Sequence, residues 1–148
     1  QVLTHLPGLR RRRRAPAPGD VAAFLDVARR SFVSVQQAWD RADLDALSCV
    51  TTDALLHELR DQLALRGPGP NHTEVLRVEA RLLGVEDLQQ AQVASVEFSG
   101  LIREEQGACA QPFRELWMLA RLSSGAEGRP GAAGAAEGWR VARVQALS

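Results

Sequence analysis

The spacing of hydrophobic residues changes along the chain, from the three-and-four steps of a helix to the two-residue repeat of a strand. Asp20 can cap a helix that runs to about Arg41, because the apolar residues after it share one helical face. This stripe is long and carries large aromatic side chains, so we expect the helix to lie in a concave sheet rather than on a flat one. Its members are Val21, Phe24, Leu25, Ala28, Phe32, Val35 and Trp39.

Two shorter helices follow the first. Asp43 is placed to cap a turn over residues 44–47. Thr52, with Asp53 in the first turn, opens another helix that Gly67 and the prolines after it bring to an end. The apolar positions of this last helix are Leu55, Leu56, Leu59 and Leu63.

Four strands are predicted in the second half of the chain. Residues 76–82 and 94–100 alternate apolar and polar positions, which indicates one buried and one solvated face. Residues 113–122 and 139–147 differ, because apolar residues lie on both of their faces, and the second face needs a cover: a partner subunit, the N-terminal arm, a membrane or a ligand. The predicted class is α+β, with N-terminal helices packed on a twisted, four-stranded antiparallel sheet.

The length of 148 residues suits one domain. Residues 1–19 are interpreted as a disordered basic arm and linker, and residues 20–148 as the folded domain. Within that domain, residues 123–137 are almost wholly Gly, Ala, Ser and Pro with a few charges, which predicts a flexible insertion between the last two strands. No apolar run is long enough to span a bilayer, although a membrane helix preceding Gln1 would escape notice.

A net charge of zero conceals an asymmetry. Residues 1–19 contain five arginines and no acid, whereas the remaining 13 arginines face 18 acids, giving 13 − 18 = −5 for the body. A mildly acidic body disfavours nucleic acid as a partner. The basic run has three readings: a solvated arm, a cluster near a membrane that attracts anionic lipid by about 1 kcal/mol per charge, or a nucleic-acid arm. It consists of Arg10, Arg11, Arg12, Arg13 and Arg14.

No motif for catalysis, a cofactor or a metal is found. None of the three histidines has a partner at metal-ligand spacing. Cys49 and Cys109 lie sixty positions apart, which favours two reduced, partly buried thiols. Asp40, Asp43 and Asp45 lie at a helix junction, where capping accounts for them. The chain has no tyrosine, and scarcely a titratable group falls on its inward positions, which disfavours an isomerase or dehydratase.

A further pattern of aromatic and polar residues runs through about residues 20–147. Its members are Phe32, Val35, Gln36, Gln37, Ala38, Trp39, Asp40, Asp43, Leu44, Leu47, Thr52, Leu55, Phe113, Arg114, Glu115, Leu116, Trp117, Arg121, Gly138, Trp139 and Gln145. The order and spacing of these residues resemble the Tim44-like domain family, the C-terminal domain of the mitochondrial inner-membrane import-motor anchor, with bacterial relatives.

The resemblance implies a shape similar to cystatin and nuclear-transport-factor-two, with a large apolar pocket. It also implies association with inner-membrane lipid and, in mitochondria, docking of translocase and chaperone partners. The use of arginine in place of lysine favours a bacterial inner-membrane protein over a mitochondrial one. The chain departs from the family pattern at residues 123–137.

We therefore expect a non-catalytic domain of a membrane-associated protein, in a process such as membrane protein transport or assembly. The basic run would engage anionic lipid head groups, while the pocket would bind lipid or an apolar partner segment. An alternative is a protein-interaction module that dimerises or recruits a partner through its second sheet face. An isomerase-like enzyme of the same fold is less favoured. The predicted pocket residues are Phe24, Phe32, Trp39, Phe98, Trp117 and Met118.

Overall fold

A computed structural model describes residues 13–15, 20–67, 72–104, 108–122 and 138–147. Three helices and five strands lie in these ranges. The helices are α1 (Val21–Arg41), α2 (Leu44–Ser48) and α3 (Asp53–Arg66). The strands are β1 (Arg13–Ala15), β2 (Glu74–Asp87), β3 (Ala91–Arg103), β4 (Gln111–Leu122) and β5 (Arg140–Ala146).

Each helix begins at the cap residue that the sequence predicts. The side chains of Asp20 and Asp43 accept hydrogen bonds from the backbone N–H groups of Ala23 and Ala46, each at 3.0 Å. Thr52 Oγ1 accepts from the N–H of Leu55 at 3.3 Å. These bonds satisfy N–H groups that the first turn of a helix leaves without an intrahelical acceptor, which explains why the helices start at these positions.

The strands form one antiparallel sheet in the order β1-β2-β3-β4-β5. The predicted α+β class and the four predicted strands are confirmed. The short strand β1 was not predicted: it pairs with Val85, Glu86 and Asp87, so the interpretation of residues 1–19 as disordered does not hold for its three residues. The other residues of the predicted arm and the predicted insertion at 123–137 lie outside the described residues.

Helix α1 covers one face of the sheet, which we call the helix side. Phe32, on the buried stripe of α1, contacts rings from β3 and β4, and the fully buried residues of both strands point toward it. Residues on β3 and β4 that are at most 1% exposed are Ala94, Val96, Phe98, Trp117 and Leu119. This layer is the main core of the domain.

The opposite face, which we call the outer face, carries a smaller apolar group. The outer apolar cluster consists of Leu88, Val93, Met118 and Ala120, the first two buried and the others half-buried. Beside it, Glu97 lies between Arg81 and Arg114, at 2.8 and 3.5 Å. The prediction that both faces of β4 carry apolar residues is confirmed.

Two further contacts fasten the helices to the sheet. Thr73, just before β2, donates to the Asp40 carboxylate near the end of α1, from its N–H at 2.5 Å and its hydroxyl at 3.0 Å. Asp40 is therefore a long-range anchor rather than a helix cap. The link between α2 and α3 joins the sheet directly, because Val141 N–H donates to Val50 C=O at 2.8 Å and Thr52 N–H donates to Val141 C=O at 2.9 Å.

Candidate functional site

The structure brings five of the six predicted pocket residues to the helix side. Phe24, Phe32, Phe98 and Trp117 belong to the main core, and Trp39 packs against it half-buried. Met118 lies in the outer apolar cluster instead. Successive residues of a strand point to opposite faces, so Trp117 and Met118 cannot line one pocket.

Aromatic rings occupy the space beneath the middle of α1. Phe32 has its ring centroid 4.9 Å from that of Phe98, 5.0 Å from Trp117 and 5.2 Å from Phe113, and Phe98 lies edge-on to Trp117 at 5.1 Å. At these separations the rings are in contact. A ligand could not lie among them without displacing a ring, so the predicted pocket has no room at its centre.

The two ends of α1 are covered by other side chains. Near its start, Phe24 packs edge-on against Trp139 at 5.3 Å, and the guanidinium of Arg121 lies 4.6 Å from the centre of the Trp139 ring. Near its end, Arg66 lies 5.4 Å from the centre of the Trp39 ring and donates to the backbone C=O of Trp39 at 2.7 Å. Cation–π contacts of this kind hold the aromatic residues in place.

Apolar surface remains accessible along β2. Its helix-side residues pack against the main core but are only half-buried, whereas Phe98 and Val96, the β3 partners of Ala80 and Leu82, are fully buried. The difference arises because, among the described residues, β1 pairs with β2 only at residues 85–87, and the rest of β2 lies at the margin of the sheet. We call these residues the β2 seam: Val75, Val78, Ala80 and Leu82.

Glu115 is a helix-side carboxyl that we did not identify from the sequence. Trp117 Nε1–H donates to its carboxylate at 2.7 Å. Burial raises the pKa of Glu115 above its ordinary value of 4.5, and the hydrogen bond from Trp117 partly opposes this. The expectation that the inward row scarcely holds a titratable group is wrong here. The two-residue repeat of Phe113, Glu115 and Trp117 contained the signal, since these residues must share a face.

The predicted lipid-binding arginines are placed only in part. Arg10, Arg11 and Arg12 lie outside the described residues. The backbone of Arg13 and Arg14 pairs with that of Asp87 and Glu86 on β2. The last two arginines of the run therefore lie at the edge of the sheet, beside the β2–β3 turn.

Potential metal ligands do not come together in the described part of the chain, where no three His, Cys, Asp or Glu residues are grouped to hold a metal ion. His57 Nδ1 lies 2.6 Å from a guanidinium nitrogen of Arg60 on the exposed side of α3. Cys49 and Cys109 are free and exposed, which corrects the expectation of partly buried thiols.

The ranges given above contain no helix that combines the length and hydropathy needed to cross a bilayer.

Helices packed on one face of an antiparallel sheet, over an aromatic core, define an α+β domain with an apolar helix–sheet interface. The chain belongs to the Tim44-like domain family, whose model matches residues 7–146. This confirms the resemblance found in the sequence. Members of the family are membrane-associated and generally non-enzymatic.

Among curated protein sequences, none matches the chain. Among solved structures, the fold is similar to a de novo designed β-sheet protein determined by solution NMR, with a TM-score of 0.39 and 16% sequence identity. The alignment covers 84% of this chain and 88% of that one. A similarity this distant has no bearing on function.

Proposed function

We propose that this domain acts non-catalytically at a bacterial inner membrane and binds a lipid acyl chain or an apolar partner segment along the β2 seam. The half-burial of the seam carries the proposal. Apolar groups at the margin of a core gain about 25 cal/mol for each Å² that an apolar ligand removes from water. Membrane protein transport or assembly is the process that family membership suggests.

The proposed site differs from the pocket that the sequence suggested. The aromatic rings under α1 form its inner wall, while Val75, Val78, Ala80 and Leu82 supply the accessible surface. An acyl chain lying against these residues needs no polar partner along its length. The basic run at residues 10–14 would hold the anionic head group, because the chain enters the sheet at the end of β2.

Adjacent leucines provide a matched test of the apolar half. Leu82 belongs to the seam, whereas Leu83 is 44% exposed and lies outside it. We expect Leu82→Asp to reduce flotation with vesicles and Leu83→Asp to leave it unchanged, with folding of both variants checked by circular dichroism. Equal flotation of the two folded variants would contradict a site at the seam.

The electrostatic half is tested with vesicles of neutral phosphatidylcholine with and without anionic phosphatidylglycerol. We expect binding to rise with the anionic fraction and to fall with salt. Replacement of residues 10–14 by serine should remove this dependence. Equal binding of the wild-type chain to both kinds of vesicle would count against head-group recognition by the arginines.

A catalytic role is not proposed for Glu115. Enzymes of similar shape pair a base with a separate oxyanion donor. Here the Trp117 indole N–H donates to the carboxylate itself at 2.7 Å. The indole N–H thus has its acceptor in Glu115, so the pair is better suited to fixing β4 side chains than to proton transfer.

Recruitment of a protein partner is a second candidate function, and the outer apolar cluster favours it. Met118 and Ala120 are half-buried on a face that α1 does not cover. We expect Met118→Glu to abolish the binding of a partner at this face and to leave flotation with lipid vesicles unchanged. Loss of flotation in this variant would instead assign the outer face to the membrane.

A further inference from the structure

The β2 strand has a free edge with a self-complementary charge pattern. In the described residues, β1 pairs only with residues 85–87, and no strand pairs with residues 74–84 on the side away from β3. Unpaired N–H and C=O groups at such an edge are a template for another strand. No proline interrupts residues 74–84. We propose that a second copy of this chain pairs with the free edge of β2 and forms a two-fold dimer.

Regular strand geometry limits the pairing to a short stretch. The register between β2 and β3 shifts between Val75 and Arg77, and again between Leu82 and Gly84. Such irregularities bend a strand and oppose pairing where they occur. Residues 77–82 between them are regular. This stretch is the contact surface of the proposed dimer.

The outer face of this stretch reads Arg77, Glu79, Arg81. All three side chains are more than 60% exposed, and Arg77 is only loosely paired with Glu79, at 4.0 Å. A two-fold axis perpendicular to the sheet keeps both helical layers on one side and places residues of the same face opposite each other. Side chains directly opposite across antiparallel strands interact, so unlike charges stabilise the pairing and like charges oppose it.

Two-fold axes through Val78, Glu79, Ala80 or Arg81 each set at least three residues of the stretch opposite each other, and charge separates these four registers. An axis through Val78 sets Arg77 against the second copy's Glu79. An axis through Ala80 sets Glu79 against the second copy's Arg81. An axis through Glu79 itself would set like charges opposite each other. An axis through Arg81 would set two arginines opposite each other. Glu79 therefore takes part in both favourable registers and decides the pairing.

The helix side of the same stretch gains from the pairing as well. Val78, Ala80 and Leu82 belong to the β2 seam and are half-buried in one copy. Across a two-fold axis they meet the same residues of the second copy, which removes apolar surface from water. The two seams then join into one apolar surface. This inference concerns assembly and goes beyond the proposed lipid binding. Dimerisation is measured by mass in solution, whereas lipid binding is measured by flotation with vesicles.

A charge-exchange experiment on the full chain tests the pairing, with mass measured by analytical ultracentrifugation. The wild-type chain should dimerise at micromolar concentration. Glu79→Arg leaves three arginines in a row and should be monomeric at the same concentration. The double variant Arg77→Glu/Arg81→Glu has three acids in a row and should be monomeric too. An equimolar mixture of the two should form a heterodimer, because their strands are then complementary in every register.

Controls separate this edge from other surfaces. Glu58→Arg makes the same charge change on the exposed face of α3 and should dimerise like the wild type. Hydrogen exchange should slow in residues 77–82 on raising the protein concentration. A wild-type chain that stays monomeric, a Glu79→Arg variant that still dimerises, or a mixture that stays monomeric would overturn the proposal. A dimer lost on Met118→Glu but kept in Glu79→Arg would assign the interface to the outer face.

Discussion

Asp40 and Thr73 join the end of α1 to the start of β2 through two hydrogen bonds to one carboxylate, at 2.5 and 3.0 Å. The carboxylate is among the few buried polar groups in the described residues. This contact fixes the height of α1 above the β2 seam. It spans 33 positions of the chain, so nothing local to Asp40 in the sequence indicates it.

Removal of this carboxylate should destabilise the fold. Asp40→Ala leaves the N–H and hydroxyl of Thr73 without their acceptor, and hydrogen bonds to charged groups contribute about 1.5–3 kcal/mol each. We expect the free energy of unfolding to fall by about 2 kcal/mol or more in urea denaturation. Asp45→Ala, an exposed position on α2, is the control and should change it by no more than about 0.5 kcal/mol. Equal effects of the two variants would contradict the anchor.

Glu115 predicts a pH dependence of stability. Its pKa is raised in the folded chain, so the folded state holds the proton more tightly than the unfolded state does. The stabilisation is fully present below the ordinary pKa of 4.5 and is lost as the pH rises through the folded pKa. The amide of Glu115→Gln cannot ionise, so this variant keeps the stabilisation at higher pH. Its side-chain oxygen can still accept the hydrogen bond from Trp117.

The measurement is urea denaturation of the wild type and of Glu115→Gln at pH values from below 4.5 to neutral. The stability of Glu115→Gln relative to the wild type should increase with pH over this window. Glu58→Gln on α3 controls for the loss of a carboxylate from an exposed position. Parallel pH profiles for the wild type and Glu115→Gln would show that the carboxyl does not titrate differently in the folded state.

Two strand glycines predict opposite responses to alanine. A Cβ at Gly100 would lie 1.9 Å from the backbone oxygen of Arg77, whereas one at Gly84 would meet nothing within 4 Å. Overpacking typically destabilises by about 1–3 kcal/mol, and a clash with backbone belongs at the upper end. Gly100→Ala should therefore lower the melting temperature clearly and Gly84→Ala should not. A similar melting temperature for both would show that β2 and β3 are further apart than described.

The aromatic cluster predicts a large effect for Phe32. Its ring contacts three others and is 1% exposed. Truncation of such a residue costs about 3–5 kcal/mol, so Phe32→Ala should unfold at much lower urea. Leu65→Ala is the control, since Leu65 is 87% exposed on α3. A small effect for Phe32→Ala would indicate loose packing and would reopen the centre of the layer as a ligand pocket.

The helices and strands could be predicted because their signals are local in the sequence. Contacts between distant residues could not be predicted in this way. Asp20, Asp43 and Thr52 act within three residues of themselves, and strand alternation repeats every two residues, so both can be found in the sequence. The bond from Asp40 to Thr73 and the filling of the space under α1 depend on tertiary packing. Strand β1 lies in an arginine run with no alternation, which left no pattern to detect.

Glu115 was missed for a different reason, because the sequence does contain the information that places its side chain on the helix side. Its neighbours Arg114 and Leu116 face the outer side, near Glu97. Strand parity alone places Glu115 with Phe113 and Trp117. The candidate site was thus predicted as an apolar wall, without its one acidic member and with Met118 on the wrong face.

The backbone hydrogen bonds between Val141 and residues 50–52 mean that the link between α2 and α3 is fixed only after the last strand has formed. The link between α2 and α3 is synthesised well before β5, and until β5 arrives the N–H of Thr52 and the C=O of Val50 lack these partners. Arg140, which donates to the C=O groups of Ser48 and Cys49 at 3.0 and 3.2 Å, arrives equally late. Fragments ending before Trp139 should therefore be protease-sensitive in their helical half, and folding on the ribosome should finish only when the C-terminal strand emerges.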